Sequence, residues 1–237
     1  MIQTEGIFVG GSAISAPIVG EDFNWSGGDG TYQVLDDGSG NWRIKFLSSG
    51  TFTPLKNMVI DAFLVGGGGG AGSSYCGEGG AGYTTTVRSV VLTANTAYSI
   101  VVGAAGTNGN PSSAGGETTA FTASAAGGKN TSNGTSSSKR PGGAGGSGGA
   151  GYVSPVATTT GGTDGGDGTS SATTGGKGQG TTTREFGEAD GTLYASGGGS
   201  NLTATVSNSG NGGRNGITSI EPADGIVVIR QHKEVAA

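Results

Sequence analysis

Between residues 31 and 46 apolar and polar side chains alternate: Tyr32 and Val34 flank Gln33, and Trp42, Ile44 and Phe46 are separated by Arg43 and Lys45. A period of two places successive side chains on opposite faces of a strand. The intervening Asp36-Asp37-Gly38-Ser39-Gly40-Asn41 is turn chemistry, so the stretch predicts a β-hairpin. Residues 58–65 follow as an apolar run of strand length, which predicts a buried strand. Residues 83–92 and 97–102 are also strand-like, and Thr93-Ala94-Asn95-Thr96 between them predicts a second hairpin. A shorter signal at 118–121 follows Gly115-Gly116-Glu117. The chain ends on a compact apolar strand, Gly225-Ile226-Val227-Val228-Ile229-Arg230. An apolar strand so late in the chain needs partners, and the hairpins of residues 58–102 are expected to supply them. Before residue 31 only Ile7, Phe8, Val9, Ile18, Phe23 and Trp25 interrupt Gly/Ser punctuation, which suits an attachment segment or a short strand pair.

Between these strands neither the helical nor the strand period holds. Glycine runs occupy 127–128, 142–151, 161–168, 175–180, 197–199 and 210–216, and residues 142–151 read Gly-Gly-Ala-Gly-Gly-Ser-Gly-Gly-Ala-Gly. The step of three recurs at Gly162, Gly165 and Gly168 and at Gly175 and Gly178. That period belongs to the polyproline II type of helix, which makes no internal hydrogen bonds and must satisfy its N–H and C=O groups outside itself. Neighbouring glycine chains can approach closely enough to do this, giving a core of backbone. Disorder is the competing expectation, because fixing a residue costs roughly 1–2 kcal/mol and glycine loses the most freedom. The strands that bracket the glycine runs favour order. The predicted fold is therefore all-β plus polyglycine II: β-hairpins and a C-terminal strand clamp a bundle of glycine-rich polyproline II-type helices, with essentially no α-helix. Residues 1–53 form an N-terminal β region and 54–237 the glycine-rich domain.

Composition narrows the function. Glycine supplies 54 of 237 residues against 6 prolines, too few for collagen, and the 32% hydrophobic and 12% charged content is too low for an aliphatic core of ordinary size. The net charge is −5 and the twelve Lys and Arg are scattered, so no footprint for nucleic acid appears. No stretch reaches the ~20 apolar residues of a membrane span, and the N-terminus lacks a signal-peptide pattern. A soluble chain that does not use ordinary secretion is expected. The single Cys76 excludes an internal disulfide framework, and with one histidine no zinc site is expected.

Catalytic motifs fail on context. Gly67, Gly69 and Gly72 fit a dinucleotide fingerprint, but no helical pattern follows. Gly145-Gly146-Ser147-Gly148-Gly149 matches a nucleophile elbow inside low complexity, and His232 sits near the C-terminus, so a serine triad is not expected. Glu185, Glu188 and Asp190 flank Phe186 as solvated loop charges in preference to a glycosidase pair. The acidic turn at 36–41 lacks calcium-loop spacing, with Gly38 and Gly40 at ligand positions. The expectation is a protein without enzymatic activity or cofactor. Its large side chains outside the strands fall in connectors between glycine runs: Tyr75 with Glu78, Asn133 to Lys139 and Arg140, Tyr152 and its neighbours, and Leu202 onward. Aromatic and polar groups on a rigid support suit recognition of sugars or surface proteins, and these residues are the candidate receptor-binding positions.

Residues 59–70, 100–106, 176–188, 194–199 and 225–230, in that order, resemble the glycine-rich domain of bacteriophage tail and tail-fibre proteins. Residues 36–47 resemble the β segment that precedes that domain. The resemblance covers about residues 50 to 230. It implies a virion component, assembled in the host cytoplasm, that folds as a polyglycine II sandwich and presents distal loops to a host-surface glycan or protein. Its N-terminal region would meet other tail proteins, as a homotrimer or a monomeric cap, with no nucleic-acid partner and no membrane insertion. The alternative class is a bacterial surface or ice-binding glycine-rich protein, against which the clustering of Thr84 to Thr86, Thr158 to Thr160 and Thr181 to Thr183 counts.

Overall fold

The computed structural model describes residues 8–9, 22–28, 30–36, 42–134, 140–152, 160–169, 175–215 and 219–232. The strands are β1 (Phe8–Val9), β2 (Phe23–Trp25), β3 (Tyr32–Asp36), β4 (Trp42–Phe46), β5 (Gly50–Pro54), β6 (Met58–Val65), β7 (Thr84–Leu92), β8 (Tyr98–Val101), β9 (Thr118–Ala120), β10 (Ala123–Ala125) and β11 (Ile226–Gln231). They form two antiparallel sheets, ordered β1-β3-β4-β11-β6-β7 and β10-β9-β8-β5-β2. The fold is all-β. Helical geometry among the described residues is confined to a single 3-10 turn at Glu185–Gly187.

The first predicted hairpin is β3 with β4, pairing Tyr32 with Phe46 and Val34 with Ile44, while residues 37–41 of its turn lie outside the described residues. Strand β11 enters between β4 and β6, so Ile229 faces Ile44 on one side and Ala62 on the other. Both faces of the sheet are covered there, which is why β6 and β11 read as continuous apolar runs. On the inner face Ile44, Phe46, Leu64 and Ile229 meet Phe52 and Ile100 of the second sheet. On the outer face Phe63, Val65 and Val228 pack against Phe186 and Tyr194. Fully burying a side chain such as Phe46 stabilises by about 1.5–3 kcal/mol.

Two expectations change. The strands at 83–92 and 97–102 are not a hairpin: β7 pairs with β6 in one sheet, whereas β8 pairs with β5 and β9 in the other. The turn at 93–97 is an arch between sheets, held by Thr93 N–H donating to the Tyr98 hydroxyl and Ala94 N–H to Asn57. Phe8 and Val9 likewise do not pair with Phe23–Trp25, since β1 joins β3 and β2 joins β5. Strands on either side of residue 53 share both sheets.

The glycine runs leave the sheets as alternating outward and returning legs. Leg 66–71 shows how they are joined. Gly66 and Gly69 donate N–H to Tyr83 and Gly80 of leg 77–83; Gly67 and Gly70 donate to Gly116 and Ser113; Gly68 donates to Ala223. In return Gly67 and Gly70 accept from Gly128 and Thr131, Gly68 and Ala71 from Gly106 and Gly109, and Gly69 from Gly213. Four of these contacts recur three residues later, at Tyr83 and Gly80, Gly116 and Ser113, Gly128 and Thr131, and Gly106 and Gly109, while Ala71 N–H donates to the Asn108 side chain, so the leg is bonded to its neighbours and not to itself. The approach leaves no room for a side chain: a Cβ at Gly68 would lie 1.8 Å from the Asn211 carbonyl oxygen, and one at Gly148 1.7 Å from that of Gly176. Residues 142–151, expected as one leg, are two. The chain bends at 145–147, Gly149 donates to Gly143, and the buried Ser147 hydroxyl accepts Gly165 N–H.

Candidate functional site: the far-end loops and the docked face

The turn at 72–76 lies where leg 66–71 ends and leg 77–83 begins, at the end of the legs away from the sheets. Tyr75 stands there with φ +45° and its side chain exposed. Tyr152 reaches the same place from leg 148–152, and the two rings meet edge to face at 5.7 Å and 79°. Arg140 joins them through paired backbone bonds with Tyr152. Asn133 closes the turn, its side-chain oxygen accepting Ser73 N–H at 2.7 Å and its amide donating to the Ser73 hydroxyl at 3.0 Å. Four of the predicted positions, Tyr75, Asn133, Arg140 and Tyr152, are thus brought together, while Lys139 lies outside the described residues.

The remaining two face inward. Glu78 is held below the turn, where its carboxylate accepts Asn215 N–H at 2.7 Å. Burial pushes its carboxyl up to about 7, against the opposing pull of that N–H and of Arg214. Leu202 is buried, and its carbonyl accepts from the Arg214 guanidinium. A connector's position in sequence does not say which of its side chains turn into the lattice. Cys76 is buried with its thiol donating to the Gly72 carbonyl, and burial followed by the nearby Glu78 pushes the thiol up to about 11, so it is inert as a nucleophile at neutral pH.

A second polar cluster sits on the outer face of the larger sheet. Asp61 in β6 lies directly across from Arg230 in β11. It accepts from Arg230 and Arg88 at 3.2 Å and from the His232 ring at 2.6 Å. Burial opposes its ionisation, but the hydrogen bonds from His232, Ser89 N–H and Arg230 outweigh burial and hold the carboxyl below its usual range. Segment 184–194 docks over this face. The Arg230 guanidinium lies 4.0 Å from the Phe186 ring centre and pairs with Glu188, while the buried Glu185 meets Arg43 at 3.1 Å and Lys45 at 3.9 Å. Glu185 and Glu188 are therefore fastenings of this segment, not solvated loop charges. Sequence reasoning missed this cluster; the signal was Asp61, a carboxylate inside an apolar run.

The model of the glycine-rich domain family matches residues 47–230. The chain belongs to this family. The matched span of the glycine-rich domain protein begins after β4 and ends in β11, enclosing every leg described above. No curated protein matches the chain. No helix among the described residues is long and apolar enough to cross a membrane.

Proposed function

We propose that this glycine-rich domain protein is a bacteriophage tail-fibre component that binds a host-surface glycan or protein through its far-end loops. The legs are read as polyglycine II helices, a reading supported by the three-residue step of their hydrogen bonds. The observation that carries the functional reading is the Tyr75–Tyr152 pair, set with Arg140 and Asn133 at the end of a backbone-bonded bundle. Aromatic edges and faces beside amide and guanidinium donors match the alternating apolar and hydroxyl surfaces of sugars. A rigid support lowers the entropy lost when such a surface is held by a ligand. The sheet end, with β1 and β2 at the sheet edges, is the end proposed to meet other tail proteins as a trimer or as a single-chain cap.

The test is pull-down of the full chain on intact Gram-positive and Gram-negative cells, with Tyr75→Ala and Tyr152→Ala. Either truncation should weaken binding about tenfold or more, as hot-spot aromatics do, with the melting temperature held within a few degrees. Retention of full binding by both variants would remove these loops from the proposal.

A further inference from the structure

The sheet order β11-β6-β7 sets His232, Asp61 and Ser89 side by side, although 143 residues separate Ser89 from His232. His232 extends the ladder beyond β11, its N–H donating to the Val59 carbonyl at 3.0 Å. On β7 the register with β6 slips between Ile60 and Ala62, so that Arg88 and Ser89 both stand opposite Asp61. Ser89 occupies this bulge with φ +56°, a left-handed conformation uncommon for serine, and is exposed. Its hydroxyl oxygen is 3.0 Å from His232 Nε2, and His232 Nδ1 is 2.6 Å from Asp61 Oδ1. Ser89 and His232 border a cleft of about 660 Å³ walled by Trp42, Phe52 and Met58 with Lys56 at its side.

We propose that Ser89 is a nucleophile toward carboxylic esters entering this cleft, with His232 as its general base and Asp61 as the residue that orients the imidazole. Triads are recognised by geometry and role, and these distances lie in the working range. The buried carboxylate is ionised among Arg230, Arg88 and the Ser89 N–H, so it accepts the Nδ1 proton and leaves the Nε2 lone pair facing the serine. As the Ser89 Oγ bonds to the acyl carbon, its proton passes to Nε2. The ester C–O bond then breaks and the alcohol leaves with that proton. Water, deprotonated by Nε2, attacks the acyl-serine; the acyl C–Oγ bond breaks, Ser89 Oγ takes the proton back from Nε2, and the carboxylic acid is released. The two arginines offset part of the Asp61 charge that would stabilise the imidazolium, so activated esters and phosphonates are the expected reactants and amides are not.

The full chain is treated with a fluorophosphonate probe and the adduct mapped by peptide mass spectrometry, in wild type, Ser89→Gly and His232→Gln. Glycine suits the positive φ, so the first variant stays folded while losing the hydroxyl. Expected are an adduct on Ser89 in wild type, none at position 89 in Ser89→Gly, and labelling about a hundredfold slower in the folded His232→Gln. No Ser89 adduct on the folded chain, or an equal rate in His232→Gln, overturns the assignment. Loss of cell binding by the tyrosine variants leaves this result untouched, so the two proposals fail separately.

Discussion

Replacing Gly68 by alanine tests whether the legs are held by backbone contact. The added Cβ would lie 1.8 Å from the Asn211 carbonyl oxygen, where ordinary contact begins at 3.4 Å, so leg 209–214 must retreat by about 1.6 Å. Such a shift breaks the bond from Ala223 N–H to Asn211 and strains those from Gly68 to Ala223 and from Gly213 to Gly69. The groups are buried, and each donor or acceptor left unmade costs about 1–3 kcal/mol. Two such losses give roughly 2–6 kcal/mol, a large part of the ~5–15 kcal/mol that holds a typical domain together. Gly180→Ala is the control: its φ is +77° and nothing lies within 4 Å, so only conformational strain of about 1 kcal/mol applies. Urea denaturation of wild type and both variants separates the cases. If Gly68→Ala loses no more stability than Gly180→Ala, the legs are not packed backbone to backbone and the account of the glycine region is wrong.

Glu78 gives a pH dependence of defined sign. Its folded carboxyl, at about 7 against an ordinary 4.5, binds its proton more tightly than the unfolded chain does, so its contribution to stability falls as pH rises through that window. Above it the buried charge costs up to roughly 3 kcal/mol. Glu78→Gln should therefore raise the unfolding free energy at pH 8 and leave it unchanged near pH 4; equal curves for both proteins would refute this. Phe186→Ala removes a buried ring wedged between Phe63 and Arg230 and should cost about 3–5 kcal/mol by denaturation, whereas a loss below 1 kcal/mol would mean that segment 184–194 is not docked. Amide hydrogen exchange at residues 148–151 should be strongly slowed, since Gly148, Gly149, Ala150 and Gly151 donate to Gly166, Gly143, Gly198 and Thr169; random-coil rates there would exclude the lattice.

The hairpin β3–β4 was legible because one face is covered and the other is not, so Tyr32 to Phe46 carry the alternation in the sequence itself. The arch at 93–97 was not. The turn chemistry of Thr93 to Thr96 suits a hairpin and a crossing between sheets equally, and the choice rests on β6 having already paired with β7. In the glycine region the period of three was visible, but the partners were not: nothing in Gly67 specifies Gly116 or Gly128, because glycine has no side chain with which to encode a neighbour. Ser147 occupies the place of Ala144 and Ala150 in the repeat, and its role shows only through Gly165. At the far end Tyr75 and Tyr152 could be read as loop aromatics. Leu202 and Glu78 could not be placed, since the direction of a side chain in an irregular connector follows from what surrounds it. Asp61, Ser89 and His232 meet only because three strands become adjacent.

Strand β11 joins the pairs β3–β4 and β6–β7 into one sheet, yet in the chain it comes after all the legs described above. Until residues 226–231 emerge, β4 and β6 expose open edges and the legs that lead from β6 to β11 have no fixed frame. At ~5–20 residues per second the chain spends many seconds in that condition. Folding is thereby tied to the synthesis of β11: a ribosome-bound chain stopped before residue 226 should remain open to protease throughout, and emergence of residues 226–231 should close it in one cooperative step.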